Sequence, residues 1–220
     1  MSRTDGPSPA PVHATVGSAL TPLRLAFVFA TAVLLGLVEV GALDYAYAEI
    51  GVPHRYFISL LVLSLVGSTI DLPLFTMPAL ESEASTGPTV VAVNIGGAMV
   101  PTLLSAWVIA HQQSATPVLL SIAAVAAATY FIATPVKGVG IAMPMLIPPL
   151  VAAGAALLVA PGAPAAAAYA GGTLGALVGA DLLNLPRIRS LGAPVVSIGG
   201  AGTFDGVFLT GLLALLLALA

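Results

Sequence analysis

The sequence has few charged residues. Asp, Glu, Lys and Arg together make up 7% of its 220 residues, whereas soluble domains carry about a quarter. Six basic and nine acidic side chains are too few to cover the surface of a water-soluble domain of this size. Apolar residues account for 59% of the chain, and the mean hydropathy is +1.08. This composition predicts an integral membrane protein in contact with the lipid bilayer.

The sequence also lacks cysteine, which excludes disulfides, thiolate metal sites, iron–sulfur clusters and cysteine nucleophiles. The net charge of −3 without a basic run argues against nucleic acid as a partner. The three histidines, His13, His54 and His111, are scattered and have no metal-ligand spacing. Phosphate-binding loops and the common hydrolase motifs are absent from the sequence. We therefore predict neither a metal nor a cofactor.

The apolar pattern predicts an all-α fold, a polytopic membrane helix bundle of about seven transmembrane helices. Residues 1–22 are rich in Pro, Ser, Ala and Thr and predict a disordered cytoplasmic tail, while 23–220 form a single transmembrane domain. Glycine and proline interrupt several segments, and the apolar stretch 191–203 predicts either a re-entrant loop or the broken start of the last helix. The candidate spans are roughly 23–43, 56–75, 89–110, 117–134, 141–160, 164–184 and 204–220.

The distribution of basic residues predicts the orientation. With a cytoplasmic N-terminus, five basic residues lie inside and only Arg55 lies outside, as the positive-inside rule requires. The five are Arg3, Arg24, Lys137, Arg187 and Arg189. Seven crossings then place the C-terminus outside, and we expect the protein in the inner (plasma) membrane of the cell.

Two segments of the sequence resemble each other. Residues 93–98 (VNIGGA) match residues 196–201 (VSIGGA) at five of six positions. Each copy follows a predicted helix that ends with an acid and a proline, and each leads into the next helix. The echo predicts a 3+1+3 parallel repeat, in which helices 1–3 correspond to helices 5–7. Composition bias in a chain rich in Gly, Ala and Val is the alternative.

Several polar residues fall at one predicted depth, near the cytoplasmic ends of the helices. Ionisable groups at membrane depth are costly and usually face a bundle interior or a water-filled cavity. They predict an acidic site that binds a small cation or a small polar solute, relays protons or catalyses. In the alternative interpretation, these acids simply reach the headgroup region. The candidate residues are Asp71, Asn94, Lys137, Asp181, Asn184, Asp205 and Ser197, the counterpart of Asn94 in the echo.

Gly171, Gly175 and Gly179 form a stripe on the sixth predicted helix, which allows another helix to approach closely. We predict that this stripe is structural. It also offers a surface for an oligomer.

Several motifs resemble those of a prokaryotic family of multi-pass membrane proteins of unknown function. The resemblance covers most of the chain after about residue 40, and it implies an inner-membrane protein without implying an activity. The motifs are GS…P at 67–73, NIGG at 94–97, GVGI at 138–141, GADLLN at 179–184 and the glycine-rich stretch 199–206.

A weaker resemblance is to the intramembrane aspartyl proteases, which pair one Asp with a second in a Gly-x-Gly-Asp motif. Here Asp181 ends one predicted helix and Asp205 opens the next, but Phe204 replaces the second glycine of the motif. That resemblance implies a catalytic dyad of Asp181 and Asp205.

The leading interpretation is a small transporter or channel-like protein with an acidic site near the cytoplasmic face and no catalytic residue. A membrane-embedded aspartyl hydrolase that uses Asp181 and Asp205 is the alternative. A non-catalytic membrane scaffold is a third.

Overall fold

The structure is a computed structural model that describes residues 28–38, 40–78, 87–136, 140–188, 193–200 and 206–220. The predicted tail, residues 1–22, lies outside the described residues. Most of the described chain is helical. The helices are α1 Val28–Val38, α2 Ala42–Glu49, α3 His54–Gly67, α4 Val100–Ala110, α5 Thr116–Ile132, α6 Ile147–Val159, α7 Ala165–Ala176, the short α8 Leu185–Ile188 and α9 Gly206–Leu219.

Two π-helical turns extend these helices. The turn Ile95–Met99 leads directly into α4, and the turn Leu177–Leu182 continues α7. Such turns insert one extra residue into the helical ladder and occur frequently at functional sites. Both lie beside predicted site residues, because Asn94 precedes the first turn and Asp181 lies within the second.

Two small sheets join the helices, and the prediction of an all-α fold missed both. The strands are β1 Asp71–Met77, β2 Thr89–Asn94, β3 Thr134–Val136, β4 Gly140–Ala142 and β5 Val195–Ile198. The larger sheet has the order β1-β2-β5, with β2 antiparallel to β1 and parallel to β5. Strands β3 and β4 form an antiparallel hairpin.

The strands account for the irregular parts of the predicted spans. Segment 56–75 is helical only as far as Gly67 and then continues into β1, and segment 89–110 begins as β2. Three valines fall within the six residues of β2, and β-branched side chains favour strands. Pro73 is tolerated in β1 because this is an edge strand, where a missing N–H donor removes no central ladder bond. The stretch 191–203, predicted as a re-entrant loop or broken helix, contains β5.

Helix α7 is the centre of the bundle. Every residue from Ala165 to Ala176 except Leu174 is buried, and α4, α5, α6 and α9 pack around it. A helix that is apolar on all sides is expected to be buried on all sides. Its Ala and Gly side chains let the neighbouring backbones approach closely.

The glycine stripe packs against another helix of the same chain. A methyl group on Gly171, Gly175 or Gly179 would lie 2.1–2.5 Å from side-chain atoms of α5, in each case too close for any real contact. The α5 residues are Ser121, Val125 and Thr129, spaced by four like the glycines themselves. The stripe is therefore the α5–α7 interface. An oligomer of this chain stays a prediction, and the stripe itself is covered by α5.

Among the described residues, one helix meets the length and hydropathy requirements of a membrane span. Helix residues Ala165–Arg187 are long and apolar enough to span a bilayer, and α1 with α2 would form a second span if that pair, bent by 75°, is one segment. The remaining apolar helices have 10–17 residues, fewer than the roughly 20 that a straight span requires. The seven-span bundle therefore stays a prediction.

Candidate functional site

Strands β2 and β5 bring the two copies of the sequence echo side by side. They pair in parallel, with Val93 opposite Ile198 and Ala92 opposite Ser197. The echo itself aligns Val93 with Val196, so the two copies are offset by two residues in the sheet. The carboxyl ends of adjacent parallel strands meet at one edge of a sheet, which is where ligands bind in many open α/β sheets. Whether the flanking helices superpose as a repeat stays a prediction.

Asn94 is a buried junction between four chain segments. Its side chain is 2% exposed, and its Oδ1 accepts a hydrogen bond from the Gly97 amide over 2.8 Å, which caps the π-helical turn. Its Nδ2 donates to the Ser68 carbonyl over 2.8 Å and to Oδ1 of Asp71 over 2.9 Å. These bonds use both donors and the carbonyl oxygen of the amide. Asn94 thus joins the end of α3, the start of β1 and the turn before α4.

The carboxylate of Asp71 is held from two sides. Oδ1 accepts from Asn94 Nδ2 and from the hydroxyl of Ser197, the latter over 2.5 Å. Asp71 begins β1, and Ser197 lies on β5, so the carboxylate reaches across the end of β2 between them. The residue itself is exposed. Within the described residues, Oδ2 of Asp71 has no hydrogen-bond partner.

Asp181 contacts the backbone that directly follows β5. Its Oδ2 accepts a hydrogen bond from the backbone amide of Gly199 over 2.8 Å. The residue is partly buried and lies in the π-helical turn after α7. In the described part of the chain, its second carboxylate oxygen has no hydrogen-bond partner. Asp71 and Asp181 therefore hold residues 197 and 199, which are two positions apart on one strand and its extension.

The backbone at Gly199 requires glycine for two reasons. Its φ of +68° lies in the left-handed region, which side chains disfavour. A methyl group there would also lie 2.4 Å from Cβ of Ala98 in the π-helical turn. Glycine therefore allows the end of β5 to turn, to pack on the start of α4 and to present its N–H to Asp181.

Asn184 belongs to a separate cluster at the end of α7. Its Nδ2 donates to the Gly179 carbonyl over 2.9 Å, and its Oδ1 accepts from Arg187 over 2.9 Å. The Arg187 guanidinium also lies 5.0 Å from the ring centre of Tyr130 and donates to its hydroxyl over 3.3 Å. This cluster stabilises the end of the π-helical turn that carries Asp181 and ties it to α5. No contact joins it to Asp71, Asn94 or Ser197 in the described structure.

Two predicted site residues, Lys137 and Asp205, lie outside the described residues. The dyad of Asp181 and Asp205, on which the hydrolase alternative depends, therefore stays a prediction. So does the proximity of a lysine to the acidic residues.

The arrangement has the chemistry of an oxygen-donor site. Two carboxylates, the hydroxyl of Ser197 and nearby backbone groups are ligands of the type preferred by hard cations. No group of three or more His, Cys, Asp or Glu side chains that could hold a metal ion occurs among the described residues. The two carboxylates suit a proton or a weakly held small cation better than a tightly bound transition metal.

Sequence reasoning did not identify the groups that fix the acids in place. The Gly199 amide and the Ser68 carbonyl are backbone atoms, and no residue-type pattern marks them as partners. The echo contained the one available signal, since Gly199 and Gly97 fall within its two copies.

The comparisons with known proteins identify a family without an assigned activity. A family model described as "Protein of unknown function (DUF1614)" matches residues 55–217. No curated protein and no solved structure matches the chain.

Proposed function

We propose that this chain, which belongs to the DUF1614 family of proteins of unknown function, is an integral membrane protein that binds a small cation. The site consists of Asp71, Asn94, Ser197 and Asp181 around the end of β5. The protein acts as a small transporter or channel-like protein, and the site lies at the cytoplasmic end of its helix bundle.

Membrane embedding is supported by apolar side chains that point outward from several helices. Leu103 on α4, Phe131 on α5 and Leu158 on α6 are 66%, 81% and 85% exposed. Large apolar side chains exposed on several helices favour contact with a membrane or a partner. Together with the low charge content, it favours lipid as the surroundings of α3 to α6.

The acidic site is supported by one observation above all. Asp71 accepts from the Ser197 hydroxyl, and Asp181 accepts from the Gly199 amide, so two carboxylates from distant parts of the chain converge on one short segment. Holding a carboxylate partly out of water, as at Asp181, is unfavourable unless a positive charge or a proton compensates it. A bound small cation supplies that compensation.

The open coordination of the acids also favours binding over a purely structural role. Each carboxylate uses one oxygen for its hydrogen bonds within the described chain and leaves the other without a partner. Asp71 is exposed whereas Asp181 is partly buried. A cation that enters beside Asp71 can therefore be passed toward the interior beside Asp181.

Flux measurements on purified protein in liposomes test the proposal. Gradients of Na⁺, K⁺ or protons are set across the membranes of liposomes that contain wild-type protein or Asp71→Asn, and the cation flux of the two is compared. Asp44→Asn is the matched control, because Asp44 is a carboxylate paired with His54 over 2.6 Å beside the opposite end of α3.

We expect flux of one of these cations in wild type, its loss in Asp71→Asn and its retention in Asp44→Asn. Equal flux in all three proteins, with empty liposomes as the baseline, would contradict the role assigned to Asp71. Wild-type liposomes that conduct no better than empty ones for all three cations would contradict cation transport itself.

A further inference from the structure

An apolar groove lies between α3 and α4 at the end of the molecule opposite the acidic residues. Its volume is about 380 Å³, within the range of about 300–1,000 Å³ that is typical of small-molecule sites. The groove opens on the outer surface of the bundle. Its lining includes Tyr56, Ser59, Leu60, Leu63, Leu104 and Trp107.

We propose that this groove binds one acyl chain of an anionic phospholipid, whose phosphate lies at the start of α3 beside Arg55. The proposal rests on the membrane embedding proposed above, but not on the acidic site. The groove shares no lining residue with the cation site.

The lining of the groove fits a hydrocarbon chain. Val52, Pro53 and the leucines at 60, 63 and 104 provide most of the wall. The polar groups of the lining side chains are the hydroxyls of Ser59 and Tyr56 and the indole N–H of Trp107. Leu63 is 52% exposed in the free chain. Covering such apolar surface is favourable by about 25 cal/mol per Å².

The aromatic residues place the groove at the depth of a membrane interface. Trp and Tyr are enriched where headgroups meet the hydrocarbon, and Tyr56 and Trp107 both line the groove. The Trp107 ring also packs against His111 at a centroid distance of 4.3 Å and lies beside Gly51.

The charge at the mouth of the groove favours an anionic headgroup. The Arg55 guanidinium lies 4.7 Å from the centre of the Tyr56 ring, directly beside the lining. The neighbouring His54 is already engaged by Asp44 over 2.6 Å, whereas Arg55 has no acidic partner among the described residues.

The start of α3 is a second feature that favours a phosphate. Its N-cap is Pro53, which provides no side-chain cap, and its first turn contains no acidic residue. The first amides of a helix lack intrahelical partners and favour anions. Arg55 and these amides adjoin the same apolar groove, which matches a molecule with a phosphate at one end and a chain at the other.

Trp107 is the only tryptophan of the sequence, so its fluorescence reports on the groove directly. The experiment adds phospholipids with brominated acyl chains, which quench tryptophan on contact, to the full-length protein in detergent. Brominated phosphatidylglycerol is compared with brominated phosphatidylcholine. Arg55→Gln removes the proposed phosphate partner, and Ser59→Phe fills the groove.

The control is a tryptophan placed outside the groove, whose quenching reports non-specific contact with lipid. In Trp107→Phe/Leu158→Trp, the single tryptophan lies on α6 at a position that is 85% exposed and outside the groove. We expect Trp107 quenching to saturate, with about fivefold tighter half-saturation for the anionic lipid, the amount that one arginine near a membrane surface contributes. Arg55→Gln should remove this preference, and Ser59→Phe should remove saturation.

Quenching of Trp107 that rises without saturation and equals that of the Leu158→Trp reporter would overturn the groove as a site. Saturating quenching without headgroup preference would overturn the role of Arg55 and the α3 terminus. In bilayers of brominated lipid, an unquenched Leu158→Trp reporter would instead contradict membrane embedding, so failure of the proposed function is distinguishable from failure of the groove.

Discussion

The buried amide of Asn94 donates to the carboxylate of Asp71 over 2.9 Å. Its oxygen accepts from the Gly97 N–H and so caps the turn before α4. Its nitrogen also donates to the carbonyl of Ser68, the residue that follows α3. A single side chain therefore orients an acid of the proposed site and joins the elements that surround it. This coupling makes the position of Asp71 depend on the integrity of the β2–α4 junction.

Replacing Asn94 with Ala should destabilise the protein. The substitution leaves the buried Gly97 amide without its acceptor and removes one hydrogen bond each from the Ser68 carbonyl and from Asp71. Leaving one buried polar group unsatisfied costs about 1–3 kcal/mol. We expect a clear fall in the thermal unfolding midpoint in detergent, measured by circular dichroism.

Gln112→Ala is the matched control for Asn94→Ala. Its amide makes a single long bond of 3.4 Å to the Val108 carbonyl at the exposed end of α4, so its loss should leave the midpoint nearly unchanged. Equal midpoints for Asn94→Ala and wild type would show that the junction does not depend on this amide.

Gly199→Ala should destabilise the protein more than Gly87→Ala. Both glycines have positive φ, +68° and +74°, so both substitutions incur the same backbone strain. At Gly87 the added methyl meets nothing within 4 Å, whereas at Gly199 it lies 2.4 Å from Cβ of Ala98. The difference between the two isolates the steric clash, which we expect to cost about 1–3 kcal/mol. Equal unfolding midpoints would contradict the close packing of β5 on the turn before α4.

Sequence reasoning placed several of the acidic and polar residues together but not by the means that the structure uses. Asp71 and Asn94 were grouped by predicted depth in helices and Ser197 was added through the echo, whereas strands β1, β2 and β5 bring the three together. A short apolar run such as 89–94 fits a buried strand as well as a buried helix, and periodicity alone does not separate them. The three β-branched valines were the local signal for a strand.

The echo showed more of the fold than the helix pattern did. It pointed to a relation between Asn94 and Ser197, and the structure pairs their strands in parallel. It could not predict the register, since a parallel ladder is determined by contacts distant in sequence. The glycine stripe was correctly interpreted as a packing surface, but a sequence does not say whether the partner helix belongs to the same chain. Here the partner is α5.

Gly175→Ala tests the α5–α7 interface. A methyl group there would lie 2.5 Å from Cβ of Val125, and overpacking of a core costs about 1–3 kcal/mol. Gly154→Ala on α6 is the control, since its methyl meets nothing within 4 Å and a helical Gly→Ala change favours folding by about 0.5–1 kcal/mol. The two variants should shift the unfolding midpoint in opposite directions. A midpoint for Gly175→Ala at or above that of Gly154→Ala would refute the interface.

The distribution of basic residues predicts the orientation in the membrane. Seven crossings from a cytoplasmic N-terminus place the C-terminus outside. A reporter that is active only outside the cytoplasm should therefore work when fused after Ala220, and a reporter that is active only in the cytoplasm should not. Fusions at Lys137 should give the reverse pattern. Cytoplasmic activity at both positions would contradict the predicted number of crossings.

A double-mutant comparison of Asp71 and Asp181 tests the central claim most directly. Wild type, Asp71→Asn, Asp181→Asn and the double variant are reconstituted in liposomes, and the flux of the transported cation is measured for each at equal protein density. If the two carboxylates form one site, each single variant has lower flux than wild type. The flux of the double variant is then no lower than that of the more impaired single variant. Independent losses that multiply in the double variant, or wild-type flux in either single variant, would contradict a shared cation site.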